Sequence, residues 1–385
     1  MGNVRPFVFI LVLMFSLSAQ GQEYVPGEVI VKMKNQPAQV GKASTKSMMS
    51  KLASDNGMQL KKSWRRFKMH QFKVGKGKSV EQVVNDLHFD PNVEYAEPNY
   101  IFRKQSVGVE GPAMSFAEME AQVAAMNSSY SSGGMGQTSA DIDAEAAWAI
   151  LGNQPEKPVV AIIDSGVDYN HYVFVDSGAI WENEDEIPGN GQDDDGNGYI
   201  DDVRGWNFVN NSNDPMDDDN HGTHVAGIVL GMTQDILASN PQESVIKIMP
   251  LKFLDGQGVG TTSDALEAIN YAMANGAQVL NNSWGGGSYS QALHDVVSQA
   301  YDNGLSFIAA AGNAGSDNDS SPIYPASYEV PNVVSIAATS SSDGLASFSN
   351  FGANSVHVGS PGISILSTLP GDSFGYSSGT SMAAP

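Results

Sequence analysis

The second half of this chain alternates between apolar runs and helix-patterned stretches, and that alternation restricts it to few architectures. Val159-Val160-Ala161-Ile162-Ile163 is a continuous apolar run, as a strand buried on both faces requires. Similar runs follow at Val245–Leu251, Ala277–Leu280, Leu305–Ala311 and Val333–Ala337. His221–Leu230, Ser263–Asn275 and Ser290–Asp302 read as helices between them. Strand, loop and helix in repeated order predict an α/β fold with a mostly parallel sheet. Such sheets gather functional residues at the carboxyl ends of their strands.

The first part of the chain has a different texture. Residues 24–103 read as a small α/β module, with strands at Gly27–Lys32, Phe67–Val74 and Val93–Tyr100 and helices at Lys46–Asn56 and Val80–Leu87. Val107–Pro112 is loop-like, Phe116–Met126 fits a short helix, and Ser128–Ser139 is Ser- and Gly-rich like a linker. Charge divides the same way. Residues 22–104 hold 15 basic and 8 acidic side chains, whereas residues 105–385 hold 4 basic and 35 acidic ones. A nucleic-acid binder would carry its basic surface on the main domain, so that class is disfavoured. Arg5, the apolar Phe7–Leu17 and the small residues at Ser18–Gly21 read as an export signal over 1–21; the other reading, a membrane anchor, is disfavoured because the run is too short to span a bilayer comfortably. The chain has no cysteine, which excludes disulfides and thiol catalysis.

Three polar residues stand in small-residue turns. Asp164 ends the first strong strand and precedes Ser165-Gly166; it reads either as an anchored carboxylate or as a cap. His221 opens Gly222-Thr223-His224-Val225-Ala226-Gly227 at a helix start. His221 and His224 share a helical face and would also suit a metal, but the zinc-protease spacing His-Glu-x-x-His is missing. Ser381, in Gly379-Thr380-Ser381-Met382-Ala383-Ala384-Pro385, sits at a tight helix entry. A serine hydroxyl becomes a useful nucleophile when a histidine takes its proton and an aspartate orients that histidine. The order Asp, His, Ser excludes the chymotrypsin and α/β-hydrolase orders. Asn313, after Ala309-Ala310-Ala311-Gly312, would donate to an oxyanion or simply form a turn.

An acidic insert lies between Asp164 and His221. Asp193, Asp195 and Asn197 offer oxygens at alternate positions, Gly198 permits a sharp turn, and the Tyr199 carbonyl follows. This matches the first half of an EF-hand-like calcium loop, with Asp201 or Asp202 left to close it. Asp214, Asp217, Asp218 and Asp219 form a second, less specific acidic cluster that either binds calcium or is merely exposed.

Taken together, Asp164-Ser165-Gly166, the His221–Gly227 stretch, Asn281-Asn282-Ser283-Trp284-Gly285-Gly286, Ala310-Ala311-Gly312-Asn313 and Gly379–Pro385 resemble the subtilisin family of serine proteases. The resemblance implies a three-layer α/β fold with a mostly parallel central sheet. It further implies a catalytic triad of Asp164, His221 and Ser381, with Asn313 and the Ser381 N–H as oxyanion donors. Gly258-Val259-Gly260 and Ser283-Trp284-Gly285 would hold an extended peptide as an added strand, with Ala310 and Gly312 nearby. Residues 22–104 are similar to the family's inhibitory propeptide, a small α+β, ferredoxin-like domain. The expected organisation is therefore signal 1–21, propeptide 22–104, processing region 105–140 and catalytic domain 141–385. The expected product is a secreted, monomeric endopeptidase with structural calcium. It would act on protein or peptide substrates, be inhibited by its own propeptide, and have no nucleic-acid partner and no membrane contact after signal removal. Family members continue through a long helix beyond this serine, so a sequence ending four residues after Ser381 reads as part of a longer protein. A metal-dependent hydrolase using His221 and His224, or a peptide-binding pseudoprotease, are the competing readings.

Overall fold

The computed structural model describes residues 23–34, 42–129, 142, 156–231 and 243–385. The expected export signal and most of the Ser- and Gly-rich stretch lie outside the described residues.

The amino-terminal module contains β1 (Tyr24–Met33), α1 (Lys42–Asp55), β2 (Met58–Trp64), β3 (Met69–Val74), α2 (Val80–His88) and β4 (Val93–Lys104). Its antiparallel strands run in the order β4-β1-β3-β2. Alternation along β1 separates two faces. Val29 and Val31 point into the module's own core with Phe72, Val83 and Leu87, while Ile30 belongs to a cluster shared with the larger domain. A capping box starts α2: the Gln82 N–H donates to Ser79 Oγ at 3.2 Å and the Ser79 N–H to Gln82 Oε1 at 2.9 Å. The unexpected strand is β2. Lys61 and Lys62 interrupt its pattern at a bulge between Leu60 and Lys62.

Next come β5 (Val109–Met114), α3 (Phe116–Ser129), β6 (Val159–Asp164), α4 (Tyr172–Asp176), β7 (Trp206–Asn207) and α5 (His221–Leu230). They are followed by β8 (Lys247–Lys252), β9 (Val259–Thr261), α6 (Thr262–Ala274), β10 (Val279–Asn282), β11 (Trp284–Gly285) and α7 (Gln291–Asp302). The last elements are β12 (Ser306–Ala310), β13 (Val333–Thr339), β14 (Val358–Pro361), β15 (Ile365–Leu369), β16 (Ser373–Ser377) and α8 (Thr380–Ala383).

Seven strands form a parallel sheet in the order β14-β13-β12-β10-β6-β8-β7. Side chains of β6 alternate between two layers. Ala161 and Ile163 join α6 and α7 through Leu266, Ile269, Leu293 and Val296, and Val160 and Ile162 join α5 through Val225, Ala226 and Leu230. This is the α/β fold with a parallel sheet that the apolar runs imply, in the three-layer form that the resemblance implies. Burial on both faces explains why those runs show no polar alternation.

One expectation needs correction. Val107–Pro112 is not simply a loop, because β5 pairs with β16 in a three-stranded sheet with β15. Its Gly111 and Pro112 look like breakers, but an edge strand tolerates both, and most of β5 is exposed. Met119 of the following helix is 1% exposed and packs into the cluster holding Phe374.

Candidate active site

Asp164 is the last residue of β6 and is fully buried. Its Oδ1 lies 2.7 Å from His221 Nδ1 and also accepts the Ser165 N–H at 2.7 Å. That contact fixes the tautomer, with the proton on Nδ1 and a free lone pair on Nε2. The close approach requires glycine at 222. A Cβ there would stand 2.0 Å from the Gly166 carbonyl oxygen and 3.2 Å from Asp164 Cβ. Ser165 and Asp217 hold the helix start in place. Ser165 Oγ accepts the Gly222 N–H and donates to Asp217 Oδ1, both at 2.9 Å. Asp217 Oδ2 accepts from the N–H and hydroxyl of Thr223 at 2.9 and 2.6 Å. Burial pushes the Asp217 carboxyl above its ordinary value.

Ser381 lies in the short α8, which packs against α5. Its hydroxyl donates to the Ser283 carbonyl at 2.9 Å, and His221 Nε2 is buried without a partner. Hydroxyl and imidazole are therefore not hydrogen-bonded in this state. Asn313 is set by its carbonyl, which accepts the Thr380 N–H at 2.9 Å and the Thr380 hydroxyl at 3.0 Å. Its Nδ2 is buried and unpartnered.

The chain itself fills the cleft. β4 runs between β9 and β11, pairing Ile101, Phe102 and Arg103 with Thr261, Gly260 and Val259, and Lys104 with Trp284. The Lys104 N–H donates to the Gly258 carbonyl and the Gln105 N–H to that of Ser283, each at 3.0 Å. The Gln105 carbonyl oxygen then accepts the Ser381 N–H at 3.0 Å. A Cβ on Gly379 would lie 2.6 Å from that oxygen, 2.9 Å from Ser106 Cα and 3.3 Å from Asn313 Nδ2, so these groups converge on one point. Beyond it, the Val107 N–H donates to the Ser378 carbonyl at 2.9 Å and β5 follows β16.

Gly258, Val259, Gly260, Ser283, Trp284 and Gly285 thus all border the bound strand. Ala310 packs instead among Ile336, Ala338 and Ala383, and the Gly312 N–H donates to Thr380 Oγ1 at 3.1 Å, supporting the Asn313 turn.

A profile of the subtilase family matches residues 156–385, more than half of the chain. The chain belongs to the subtilase family. A second profile, the fervidolysin N-terminal prodomain, matches residues 16–99. A thermophilic serine proteinase of Bacillus sp. (strain AK1) is 35% identical over 373 residues, spanning 96% of this chain and 78% of its own. Thermitase of Thermoactinomyces vulgaris is 35% identical over 247 residues, 63% of this chain and 76% of its own. The crystal structure of fervidolysin from Fervidobacterium pennivorans shares the fold. Its TM-score is 0.65 at 22% identity, covering 94% of this chain and 53% of that one. This subtilase is accordingly a serine protease with an N-terminal prodomain, a hydrolase of peptide bonds.

Its other polar clusters divide clearly. His224 Nε2 lies 3.0 and 3.1 Å from the carbonyl oxygens of Ile365 and Gly375. Burial lowers its pKa to about 4, so the ring is a neutral donor to β15 and β16, an arrangement that disfavours a metal shared with His221. In the second acidic cluster, each carboxylate has a protein partner. Asp214 accepts the Tyr169 hydroxyl at 2.9 Å, Asp217 holds α5, Asp218 pairs with Lys252 at 2.6 Å, and Asp219 pairs with Lys104.

The acidic insert is different. Carboxylate oxygens of Glu186, Asp193 and Asp195 lie within 4.8 Å of one another, and Asp193 Oδ1 is buried without a partner. Asn197 adjoins them, its Nδ2 2.9 Å from Asp195 Oδ2, and its Oδ1 accepts the Tyr199 N–H at 2.8 Å. Asp201 turns away to accept the N–H groups of Asn190 and Gly191 at 3.0 and 2.9 Å. Asp202 accepts the Tyr271 hydroxyl at 2.5 Å and Asn197 Nδ2 at 3.0 Å. Glu186 lies before the repeating Asp pattern, so spacing alone did not reveal it.

Proposed function

We propose that this subtilase is made as a secreted, self-inhibited serine endopeptidase in which Asp164, His221 and Ser381 form the triad and Gln105–Ser106 is the first bond cut. The observation that carries this reading is the Gln105 carbonyl seated on the Ser381 N–H, with chain bound on both sides of it. In the reaction, the Ser381 hydroxyl swings from the Ser283 carbonyl to His221 Nε2, gives up its proton there, and attacks the Gln105 carbonyl carbon. Asp164 Oδ1 holds the Nδ1–H of the resulting imidazolium. The Ser381 N–H and Asn313 Nδ2 receive the developing oxyanion. Nε2–H then protonates the departing Ser106 nitrogen, leaving an acyl-enzyme on Ser381. Water, activated by His221, releases the Gln105 carboxylate. The same steps hydrolyse other peptides once β4 has left.

The proposed organisation is a signal over 1–21, a prodomain ending at 105 and a processing region to 140 ahead of the protease, which acts as a monomer outside the cell. Among the described residues, no helix is long and apolar enough to cross a membrane. The insert fits a structural calcium ion. Three carboxylates, one of them with an unpartnered buried oxygen, form an all-oxygen donor set, which Glu186, Asp193 and Asp195 would supply with Asn197 and the Tyr199 carbonyl. Such an ion would relieve carboxylate repulsion and brace the loop.

Mass spectrometry of the purified protein tests the assignment. The expected result is a new amino terminus at Ser106, its absence in Ser381→Ala, and casein hydrolysis that a serine-directed phosphonate abolishes. Undiminished casein hydrolysis by Ser381→Ala would overturn it.

A further inference from the structure

We infer that Asp219 makes this protease selective for a basic residue immediately before the residue whose carbonyl is attacked; the inference rests on the Gln105–Ser106 register proposed above. In that register Lys104 occupies the position in question. Its ammonium pairs with the Asp219 carboxylate, whose side chain is 6% exposed. The stem of Lys104 crosses Gly258, which has φ of +70°. A Cβ there would stand 2.6, 2.8 and 2.9 Å from Lys104 Cδ, Cγ and Cε. A long unbranched side chain thus lies over a bare glycine and ends on a carboxylate.

The carboxylate belongs to the protease and not to the prodomain. Asp219 lies two residues before His221, and its N–H donates to Asp217 Oδ1 at 3.0 Å, which ties it to the buried carboxylate that also holds α5. Neighbouring charge does not satisfy it. Asp218 is paired with Lys252, whose ammonium also donates to the carbonyls of Ser165 and Leu254 at 2.6 and 2.8 Å. Among the described residues, Lys104 is the one cation paired with Asp219. Departure of β4 would therefore leave a carboxylate at the cleft wall without the ammonium that now covers and neutralises it. A substrate bringing Lys or Arg restores the pair. An acidic side chain there meets like charge, and alanine leaves the carboxylate uncompensated. The rest of the bound strand needs less explanation: Phe102 is fully buried with its ring 5.1 Å from that of Trp284, an apolar contact that sets affinity and not charge preference.

The self-processed protease, assayed at low salt on fluorogenic peptides Phe-Arg-X-Gln with X as Lys, Ala or Glu, gives the test. The expected kcat/KM for Lys exceeds that for Ala by about tenfold, Glu is worst, and added salt shrinks the spread. Asp219→Asn brings the Lys-to-Ala ratio close to one, Asp219→Glu restores a preference, and Asp219→Lys places Glu above Lys. Equal rates for Lys and Ala in the parent protein, or an unchanged ratio in Asp219→Asn, overturn the inference while leaving the register intact. Cleavage of casein without turnover of any of these peptides, together with a processed terminus other than Ser106, removes the register and the inference with it.

Discussion

His224 shows how a residue one helical turn from His221 contributes to the fold. It is 1% exposed, its Nε2–H bridges carbonyls of β15 and β16, and burial holds its pKa near 4 against an ordinary 6.5. The unfolded chain takes up this proton first, so the contribution is complete above pH 6.5 and is lost as pH falls toward 4. In a Ser381→Ala background, which prevents self-digestion, His224→Gln is expected to reduce the loss of stability between pH 7 and 5 by about 2 kcal/mol in urea unfolding. An unchanged pH slope would show that His224 titrates normally. At this scale much was legible in the sequence. Asp164, His221, Ser381 and Asn313 each stand in a turn whose small residues permit close approach, and composition records that directly. The state of the Ser381 hydroxyl was not legible. It depends on the Ser283 carbonyl, 98 positions away.

Between elements, the prodomain grips the protease in ways that net charge does not describe. Opposite charges do meet, in Lys32 with Asp295 at 2.6 Å and Lys62 with Glu267. Two other contacts work on helix ends. Glu97 accepts the Ser290 hydroxyl at 2.6 Å and the N–H groups of Gln291 and Ala292 at 2.8 and 3.3 Å, at the start of α7. Asn99 Oδ1 accepts the Ser263 N–H at 2.9 Å near the start of α6. An acid from the basic module thus docks on the acidic domain, because unpaired N–H groups and the helix dipole favour an acceptor there. Removing it leaves buried donors unsatisfied, so Glu97→Ala is expected to weaken inhibition by the processed prodomain about 10- to 100-fold. The inhibition constant measured on the processed protease checks this, and a change under twofold would count against the contact. Strand and helix periodicity located most elements to within a few residues. Strands β2, β5, β7, β9, β11, β14, β15 and β16 escaped it; β2 is bulged at Lys61, and β5 depends on the distant β16 for its ladder.

At the scale of the whole molecule, the acidic insert connects the surface to the core. Asp202 receives the Tyr271 hydroxyl, and Tyr199 stacks edge-on with Trp206 and Tyr271 at 5.0 Å each. An ion held by Glu186, Asp193 and Asp195 would thus stabilise more than its own loop. Excess chelator is expected to lower the Tm of Ser381→Ala by about 5–10 °C, and Glu186→Gln to abolish most of that difference. Identical melting with and without chelator would remove the structural ion. The spacing of Asp193, Asp195 and Asn197 marked the loop, while the position of Glu186 needed the folded chain.

The pairing of β5 with β16 has one further consequence. Hydrolysis at Gln105 would leave both fresh ends in place, the carboxylate held by β9 and β11, the amine tethered through β5 and the buried Met119. Before water arrives, the amine freed by acylation is held beside the Gln105 acyl-enzyme at a high effective concentration, so it can attack that ester, expel the Ser381 oxygen, which regains its proton through His221, and rejoin the chain. Breaking the bond would then not by itself arm the enzyme; the onset of activity is timed by how fast a strand peels from its neighbours.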